Sequence, residues 1–388
     1  MEVKVGYKYS DAGILPFDWE VKQIKEFAIF TNGKAHEQFI DDNGDFVVVN
    51  SKFISSESKV YKTSSKAYSI LNEGDVCLVM SDIPNGKALA KCFIIDENSK
   101  YTLNQRICSL KSEVTDPRYL FYILNRNKYF LAFDTGTGQT NLKKTEVIVC
   151  PVPIPPTKSE QSAIANALSD TDALITSLEK LIEKKRAIKQ GAMQQLLKPE
   201  EGWIIKKLGE IFEFKQGVQC SVDKQFSSWQ SDRQRFIRII DLTQPEELPR
   251  YILDPGPTHH VFPDDLFMVR YGTPGLLGYG FEGVIANNLF RIIPKRKIST
   301  HFFLYILDHR NSDISQISSS TTMPALNFTA LKELELTYPE NIECQINVAQ
   351  ILSDMDEDIS ASVEKLLKYK LLKQGMMQEL LTGKTRLI

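Results

Sequence analysis

No run of eighteen apolar residues occurs in the 388-residue chain, and its opening, MEVKVGYKYSDAG, has no apolar signal core. Neither a membrane span nor a secretory leader is expected, and the chain reads as cytoplasmic. Cysteine is sparse and scattered: Cys77, Cys92, Cys108, Cys150, Cys220 and Cys344 contain no CxxC pair. Buried, reduced thiols are expected rather than disulfides or a zinc site. His259-His260 has no third ligand at metal spacing and reads as a solvated loop; His36, His301 and His309 are isolated. TGTGQT at 135–140 has no Gly-Lys-Ser/Thr after it, so a turn is expected there and not a phosphate loop. There is no GxGxxG and no Asn-Pro-Pro-Tyr/Phe segment of the kind that holds the target amine in adenine aminomethyltransferases. The acidic groups of ELPRYILD and PDDLFMVR lack the Glu-x-Lys spacing of a metal-dependent nuclease. No catalytic residue, metal ligand or cofactor of its own is therefore assigned to this chain.

What the chain has in abundance is repetition. Trp19 and Trp203 lie 184 residues apart, as do Gly33 and Gly217. QSAIANALSDTDALI from Gln161 matches QINVAQILSDMDEDI from Gln345 at the same offset, and KQGAMQQLL from Lys189 matches KQGMMQELL from Lys373. A gapless overlay of 161–197 on 345–381 gives about 15 identities in 37 positions, several-fold above chance. Two copies are too few for a solenoid. They suit one chain doing the work of a symmetric dimer, facing a partner that is itself extended and roughly two-fold. The length predicts two to three domains, each able to build its own core.

Residues 1–157 and 199–340 hold nearly all the Pro and Gly, with short β-rich runs at 45–50, 75–80, 235–241 and 265–270. Aromatic and aliphatic spacing predicts helices at 117–130 and 301–310. Tyr122-Ile123-Leu124 answers Tyr305-Ile306-Leu307 at offset 183, and Asp75 answers Asp265 at 190, so insertions collect in loops. Segment 159–197 reads as one long helix, with Ser159 as its cap and Pro199 beyond its end. Ile164, Leu168, Ile175, Leu178 and Ile182 fall on a/d heptad positions, and Leu174, Leu181 and Ile188 widen the stripe. The second copy places Val348, Leu352, Ile359, Leu366 and Leu380 likewise. Each helix would run about 58 Å, and the two would pair as an antiparallel coiled coil in a dumbbell of fixed spacing. The expected fold is two mixed α/β domains alternating with two long helices: 1–157, 158–198, 199–340 and 341–388. A generic dimerisation coil, or a long helix of an all-α array, is the alternative for these helices.

The ordered set of phrases carries a resemblance. Each half opens on a Trp phrase (DWEVKQIKEF at 18–27, GWIIKKLGEIF at 202–212) and contains a strand of the type GDVCLVM (74–80) or DDLFMVR (264–270). Each then closes with a polar stretch (TGTGQTNLKKTEV at 135–147, STTMPALNFTAL at 320–331), a proline-ended strand (VPIPPTKSEQ, LTYPENIECQ) and a long helix ending KQGAMQQLL or KQGMMQELL. Over nearly its whole length the chain resembles the specificity subunits of type I restriction–modification systems. Two departures, Cys344 where the first half has Glu160 and the missing double proline in the second half, concern the junction alone.

The resemblance implies that each globular half is a target recognition domain for one part of a split, double-stranded DNA sequence. It implies helices that act as a ruler and as docking sites for two methyltransferase (modification) subunits, with restriction/translocase subunits as further partners. S-adenosylmethionine, ATP and Mg would belong to those partners; no membrane is involved. Net charge is only −2, but the distribution of charge matters more than its sum. DNA-contacting candidates are Asn85, Lys87, Gln139, Asn141 and Lys143 in the first half, and Arg233, Arg235, Arg270, Tyr271 and Thr273 in the second. Arg270, after a strand and before a Gly-rich turn, is expected to extend toward a guanine edge; Met80-Ser81-Asp82 stands at the matching place. Different residues at equivalent places imply an asymmetric target. Lys184 and Lys185 are the candidates for subunit docking. A standalone DNA-modifying enzyme and a purely structural coiled-coil adaptor are the rival readings.

Overall fold

The computed structural model describes residues 5–83, 87–244, 246–317 and 325–387. It divides into two units, Met1–Glu179 with Lys365–Ile388, and Lys180–Glu364. Both division points fall inside the 39-residue helices Lys158–Leu196 and Ile342–Leu380, so the expected four-part division does not coincide with the compact units. The reason is burial. Ile164, Ala165 and Leu168 share the first unit's core with Leu380 and Leu381, and Met193 and Leu197 share the second unit's core with Ala349 and Leu352. Helix ends from both repeats are thus part of each globular core.

Within the first unit the buried run Val76–Val79 is a central strand, apolar on both faces. Its four-stranded antiparallel sheet runs Ile29–Asn32, Ile107–Lys111, Val76–Val79, Cys92–Ile94. A second sheet joins Tyr101–Leu103, Phe46–Val49 and Thr63–Ser64, and a ribbon pairs Glu20–Gln23 with Pro151–Ile154. The second unit has the same order: Phe212–Gln216, Leu289–Pro294, Leu266–Val269, Leu277–Gly278 in one sheet, and Trp203–Lys207 against Glu335–Pro339 in the ribbon. Its other sheet runs Arg250–Leu253, Arg233–Ile237, Gly283–Ile285, His260–Val261. The fold is mixed α/β, repeated twice, and no helix among the described residues is long and apolar enough to cross a membrane.

Local chemistry moves some expected boundaries. The run at 235–241 splits into the strand Arg233–Ile237 and the helix Ile239–Thr243, because the Asp241 carboxylate accepts from the Arg238 amide at 2.8 Å and starts a helix there. The expected helix at 117–130 breaks after Leu124: Arg126 takes φ +57°, and the Asn127 side chain caps a new helix, Lys128–Leu131. The first long helix begins at Lys158, and Thr157, not Ser159, accepts the Glu160 amide (3.2 Å). Leu174, Leu181 and Ile188, expected to widen the buried stripe, stay exposed. Four thiols are buried, with burial pushing Cys108 and Cys150 up to about 12, but Cys220 is half-buried and Cys344 exposed.

The repeated residues have repeated jobs. Gln161 accepts the Asp116 amide (2.9 Å) and donates to the Pro155 carbonyl (3.1 Å); Gln345 accepts the Ser299 amide (2.9 Å) and donates to the Pro339 carbonyl (2.8 Å). Each glutamine ties the start of a long helix to the cap of a short one. In the first unit the Asp172 carboxylate accepts from Tyr122 (2.9 Å) and pairs with Lys373 (2.6 Å). In the second, Asp356 accepts from Tyr305 (2.9 Å) and pairs with Lys189 (2.6 Å). The helices run antiparallel within each unit, as Lys370–Glu179 beside Lys373–Asp172 and Lys185–Asp358 beside Lys189–Asp356 require. Glu160, buried, meets Arg386, which also grips Asp18 at 2.9 Å. At the repeat offset of 184, Gly202 stands where Arg386 stands, and the counterpart of Glu160 is the exposed Cys344.

Among the glycines of the described residues, Gly33 and Gly217 mark the closest backbone approaches. A Cβ on Gly33 would lie 1.8 Å from the Asn104 carbonyl oxygen, and one on Gly217 would lie 2.2 Å from that of Ala286. Gly33→Ala and Gly217→Ala are each expected to cost about 1–3 kcal/mol, read as a lowered denaturation midpoint; a midpoint equal to wild type would contradict the close approach. The caps differ instructively. Burial works to raise the Asp116 carboxyl, but bonds from Ser162 and the Arg118 and Tyr119 amides, with the Arg118 charge, hold it below the usual range. Its contribution is present above about pH 4, its unfolded value, and is lost as pH falls through the lowered folded value. Asp116→Ser, the residue type that caps the second unit, should flatten acid unfolding of the first unit below pH ~4; an unchanged acid limb would refute that role.

Candidate nucleic-acid interface

One end of the sheet that holds Val76–Val79 in the first unit, and Leu266–Val269 in the second, gathers polar groups. In the first unit Asn32 lies opposite Cys108, and Val79 opposite Ile107. Gly33-Lys34, Met80-Ser81 and Arg106 therefore emerge together. The Met80 amide donates to the Arg106 carbonyl (2.9 Å), and the Leu142 amide donates to the Met80 carbonyl (2.7 Å). Thr140–Asn141 then pairs with Ser81–Asp82. Buried Ser81 donates to the Asn141 side-chain oxygen (2.6 Å) and accepts from the Gln139 amide nitrogen (2.7 Å), so two of the expected contact residues are brought together and pinned. The Asp82 carboxylate accepts from the amides of Ala88 (2.6 Å) and Leu89 (3.0 Å), closing the loop that carries exposed Lys87. Asn85 lies outside the described residues. Lys143 is exposed at the start of the helix Lys144–Ile148.

The second unit repeats these backbone bonds with other side chains. Gln216 lies opposite Phe290 and Val269 opposite Leu289. The Arg270 amide donates to the Asn288 carbonyl (2.8 Å), the Leu326 amide donates to the Arg270 carbonyl (3.1 Å), and Tyr271 bridges to Ala325. Arg270 thus stands where Met80 stands, and Met80 belongs to a buried core. Its side chain follows suit. Nη1 donates to the Gln216 side-chain oxygen (2.8 Å), Nε donates to the Leu326 carbonyl (3.3 Å), and the guanidinium lies 4.2 Å over Phe328 and 4.9 Å over Tyr271. The expected outward reach is not found; flanking backbone bonds turn the side chain inward, where it braces the loop. Tyr271 is half-buried beside it and Thr273 exposed.

Arg233 and Arg235 sit on a strand of the other sheet. Arg233 lies 3.6 Å over the Phe226 ring and donates to the Ser228 carbonyl (3.1 Å). Arg235 is 3.9 Å from buried Asp241 and 5.6 Å from the Phe281 ring centre. Lys185 is already engaged, bonding Asp358 (2.8 Å) and Ser362 (2.9 Å) inside the second unit, whereas Lys184 is exposed. Reversing the charge at Lys185 would therefore disturb the helix pair itself. Sequence reasoning missed Arg106, an exposed arginine at φ +68° between two strands. The signal available was its place in NQR, between the β-rich runs YTL and ICSL.

A model described as the type I restriction modification DNA specificity domain matches residues 16–190 and again 200–369. The chain belongs to the family of type I restriction–modification specificity subunits. Among curated proteins it is 25% identical to the type I restriction enzyme MjaVIII specificity subunit of Methanocaldococcus jannaschii, over 96% of this chain and 94% of that one. It is 22% identical to the putative MjaX specificity subunit of the same organism, over 98% and 96%. The crystal structure of an S subunit from M. genitalium shares the fold at TM-score 0.65, 17% identity and 98% coverage of both chains. A structure from work on assembly and conformational transition of a type I system matches at 0.56, with 16% identity, over 96% of this chain and 99% of that one.

If Arg270 braces its loop, Arg270→Ala should lower stability of the second unit by about 1–3 kcal/mol. Arg270→Met, the residue at the matching place in the first unit, should recover much of that loss by packing on Phe328. Denaturation followed by the fluorescence of Trp203 and Trp229 reads both; an alanine variant as stable as wild type would contradict the bracing role.

Proposed function

We propose that the chain is the non-catalytic, DNA-reading component of a cytoplasmic type I restriction–modification complex. Each unit contacts one part of a split duplex target through the polar end of the sheet that holds Val76–Val79 or Leu266–Val269. Methyl transfer with S-adenosylmethionine, and any ATP- and Mg-dependent translocation or cleavage, belong to partner subunits. The observation that carries this reading is the shared backbone and unshared side chains of the two sheet ends. Ser81, Gln139, Asn141 and Arg106 stand in one, and Tyr271, Thr273, Gln216 and Asn288 in the other. One scaffold with two side-chain sets suits two different half-sites, hence an asymmetric bipartite sequence.

The long helices supply the second half of the reading. Gly191 and Gly375 stand at equivalent places in them, and an added Cβ at either meets nothing within 4 Å. A helical glycine costs about 0.5–1 kcal/mol relative to alanine, and internal packing does not account for these two. With exposed Leu181 and Ile188 in one helix and Leu371 and Leu372 in the other, they support two equivalent docking places for two modification subunits.

Co-expression of the full chain with its methyltransferase subunits tests both parts. Native mass measurement should give two modification subunits per chain, and methylation-aware sequencing of the host should show one asymmetric motif with an unspecified gap. A final one-to-one assembly would contradict the docking. Duplex binding without sequence preference would favour a structural adaptor, and methyl transfer by the isolated chain would favour a standalone enzyme.

A further inference from the structure

The turn Asn104-Gln105-Arg106 joins the strands Tyr101–Leu103 and Ile107–Lys111 at the polar sheet end of the first unit. Its backbone is fixed on three sides: the Asn104 amide donates to the Val49 carbonyl (3.1 Å), the Met80 amide to the Arg106 carbonyl (2.9 Å), and the Ile107 amide to the Asn104 carbonyl (3.3 Å). Gly33 packs directly against the Asn104 carbonyl. The first two side chains are fixed as well. Asn104 lies 3.4 Å from the buried His36 ring, whose other nitrogen is 3.0 Å from Thr102, and Gln105 donates to Glu37 (2.7 Å). Only Arg106 is left over. Its side chain is exposed and has no partner among the described residues, and its backbone is held at φ +68°, where glycine or asparagine would be at ease.

The tight turn closed by the Ile107-to-Asn104 bond accounts for the positive φ, but it needs no arginine side chain, and the exposed guanidinium is left without a structural task. We infer that Arg106 is a specificity-determining residue of the first unit, its guanidinium taking the paired acceptors of a guanine edge in the major groove. Neighbouring chemistry favours this. The Gln139 and Asn141 amides are locked onto Ser81 a short way along the same edge, and Asp82 and Glu37 are occupied by the Ala88 and Leu89 amides and by Gln105. The exposed cations there include Lys34, whose ammonium lies 5.7 Å from the Tyr68 ring centre, Lys87, Lys143 and Arg106. A rigid turn presenting one fork of donors suits bidentate base recognition, which a flexible lysine cannot replace. The inference rests on the DNA-reading role proposed above.

The test compares wild type, Arg106→Gly and Arg106→Lys, each as the full chain co-expressed with its methyltransferase subunits. Methylation-aware sequencing gives the recognised motif, and thermal unfolding of the purified chains gives stability. Arg106→Gly is expected to unfold at the wild-type temperature or above, since glycine relieves the positive φ. Its motif should lose one G·C position in one half-site, with discrimination there falling about ten-fold or more and the other half-site unchanged. Arg106→Lys should lose the same position. An unchanged motif in both variants overturns the inference. So does uniform loss of methylation that lysine restores, which marks a phosphate contact, and so does a clear drop in unfolding temperature for the glycine variant, which marks a structural role. A wild-type complex with no bipartite motif overturns the DNA-reading role, and this assignment with it.

Discussion

Each unit is completed by a helix segment from the other repeat, and the rest of the architecture depends on that exchange. In the first unit the end of the second long helix brings Leu380 and the following Leu381 into the core, with Met376 and Met377 packed against it; in the second, the end of the first long helix brings Met193 and the following Leu197, with Ala192 and Leu196 against them. A buried leucine contributes about 1.5–3 kcal/mol, so these few side chains outweigh the ion pairs beside them. Lys373–Asp172 and Lys189–Asp356 are partly exposed, and such pairs are worth about 0–1 kcal/mol each. Their part is register. Burial, and then the neighbouring carboxylate, holds Tyr122 and Tyr305 well above the usual phenol range, so each remains a neutral donor to its aspartate. The aspartate is thus fixed by a tyrosine of the globular part and met by a lysine of the opposite helix. A slip of one helical turn would break both contacts at once.

The repeat was legible because its contacts depend on residue types that cannot be exchanged. Gly33 and Gly217 allow backbones to touch, and Gln161 and Gln345 each satisfy a buried amide and a buried carbonyl with one side chain. Heptad spacing likewise gave the buried positions Ile164, Leu168, Ile175, Leu178 and Ile182. What could not be read locally depended on distant partners. Val76–Val79 and Leu266–Val269 were recognisable as strands, yet the direction of the next side chain is set by bonds to residues tens of positions away. Arg270 was therefore read as reaching outward when it turns in. The division into units was hidden for the same reason, since periodicity reports which helix face is apolar and not which core that face enters.

The two sheet ends separate what must be constant from what can vary. Met80 and Arg270 make the same two backbone hydrogen bonds, one through the amide and one through the carbonyl, although one side chain is apolar and the other charged. Substitution there need not disturb the sheet, because the strand pairing is carried by main chain. The converse holds for the glycines and glutamines, whose side chains, or lack of them, are the contact.

Overall charge says little about such a surface. The chain as a whole carries −2, but several acidic groups at the first unit's sheet end are turned to internal use. Asp82 accepts backbone amides across its loop, and Asp134 accepts from the Gly136 amide (3.0 Å) and the Thr140 hydroxyl (3.1 Å). A carboxylate that accepts backbone amides has its lone pairs directed into the loop and not toward an approaching anion. Exposed cations at that edge, Lys34, Lys87, Lys143 and Arg106 among them, contribute a local positive potential that the total count does not show. It is also screened within about 10 Å at 0.1 M salt, so it acts on a duplex already close to the edge. Long-range attraction is weak in a chain of balanced charge, and selectivity must come from fixed donors at contact distance. On the reading proposed for Arg106, a turn fixed by three backbone hydrogen bonds supplies one such donor.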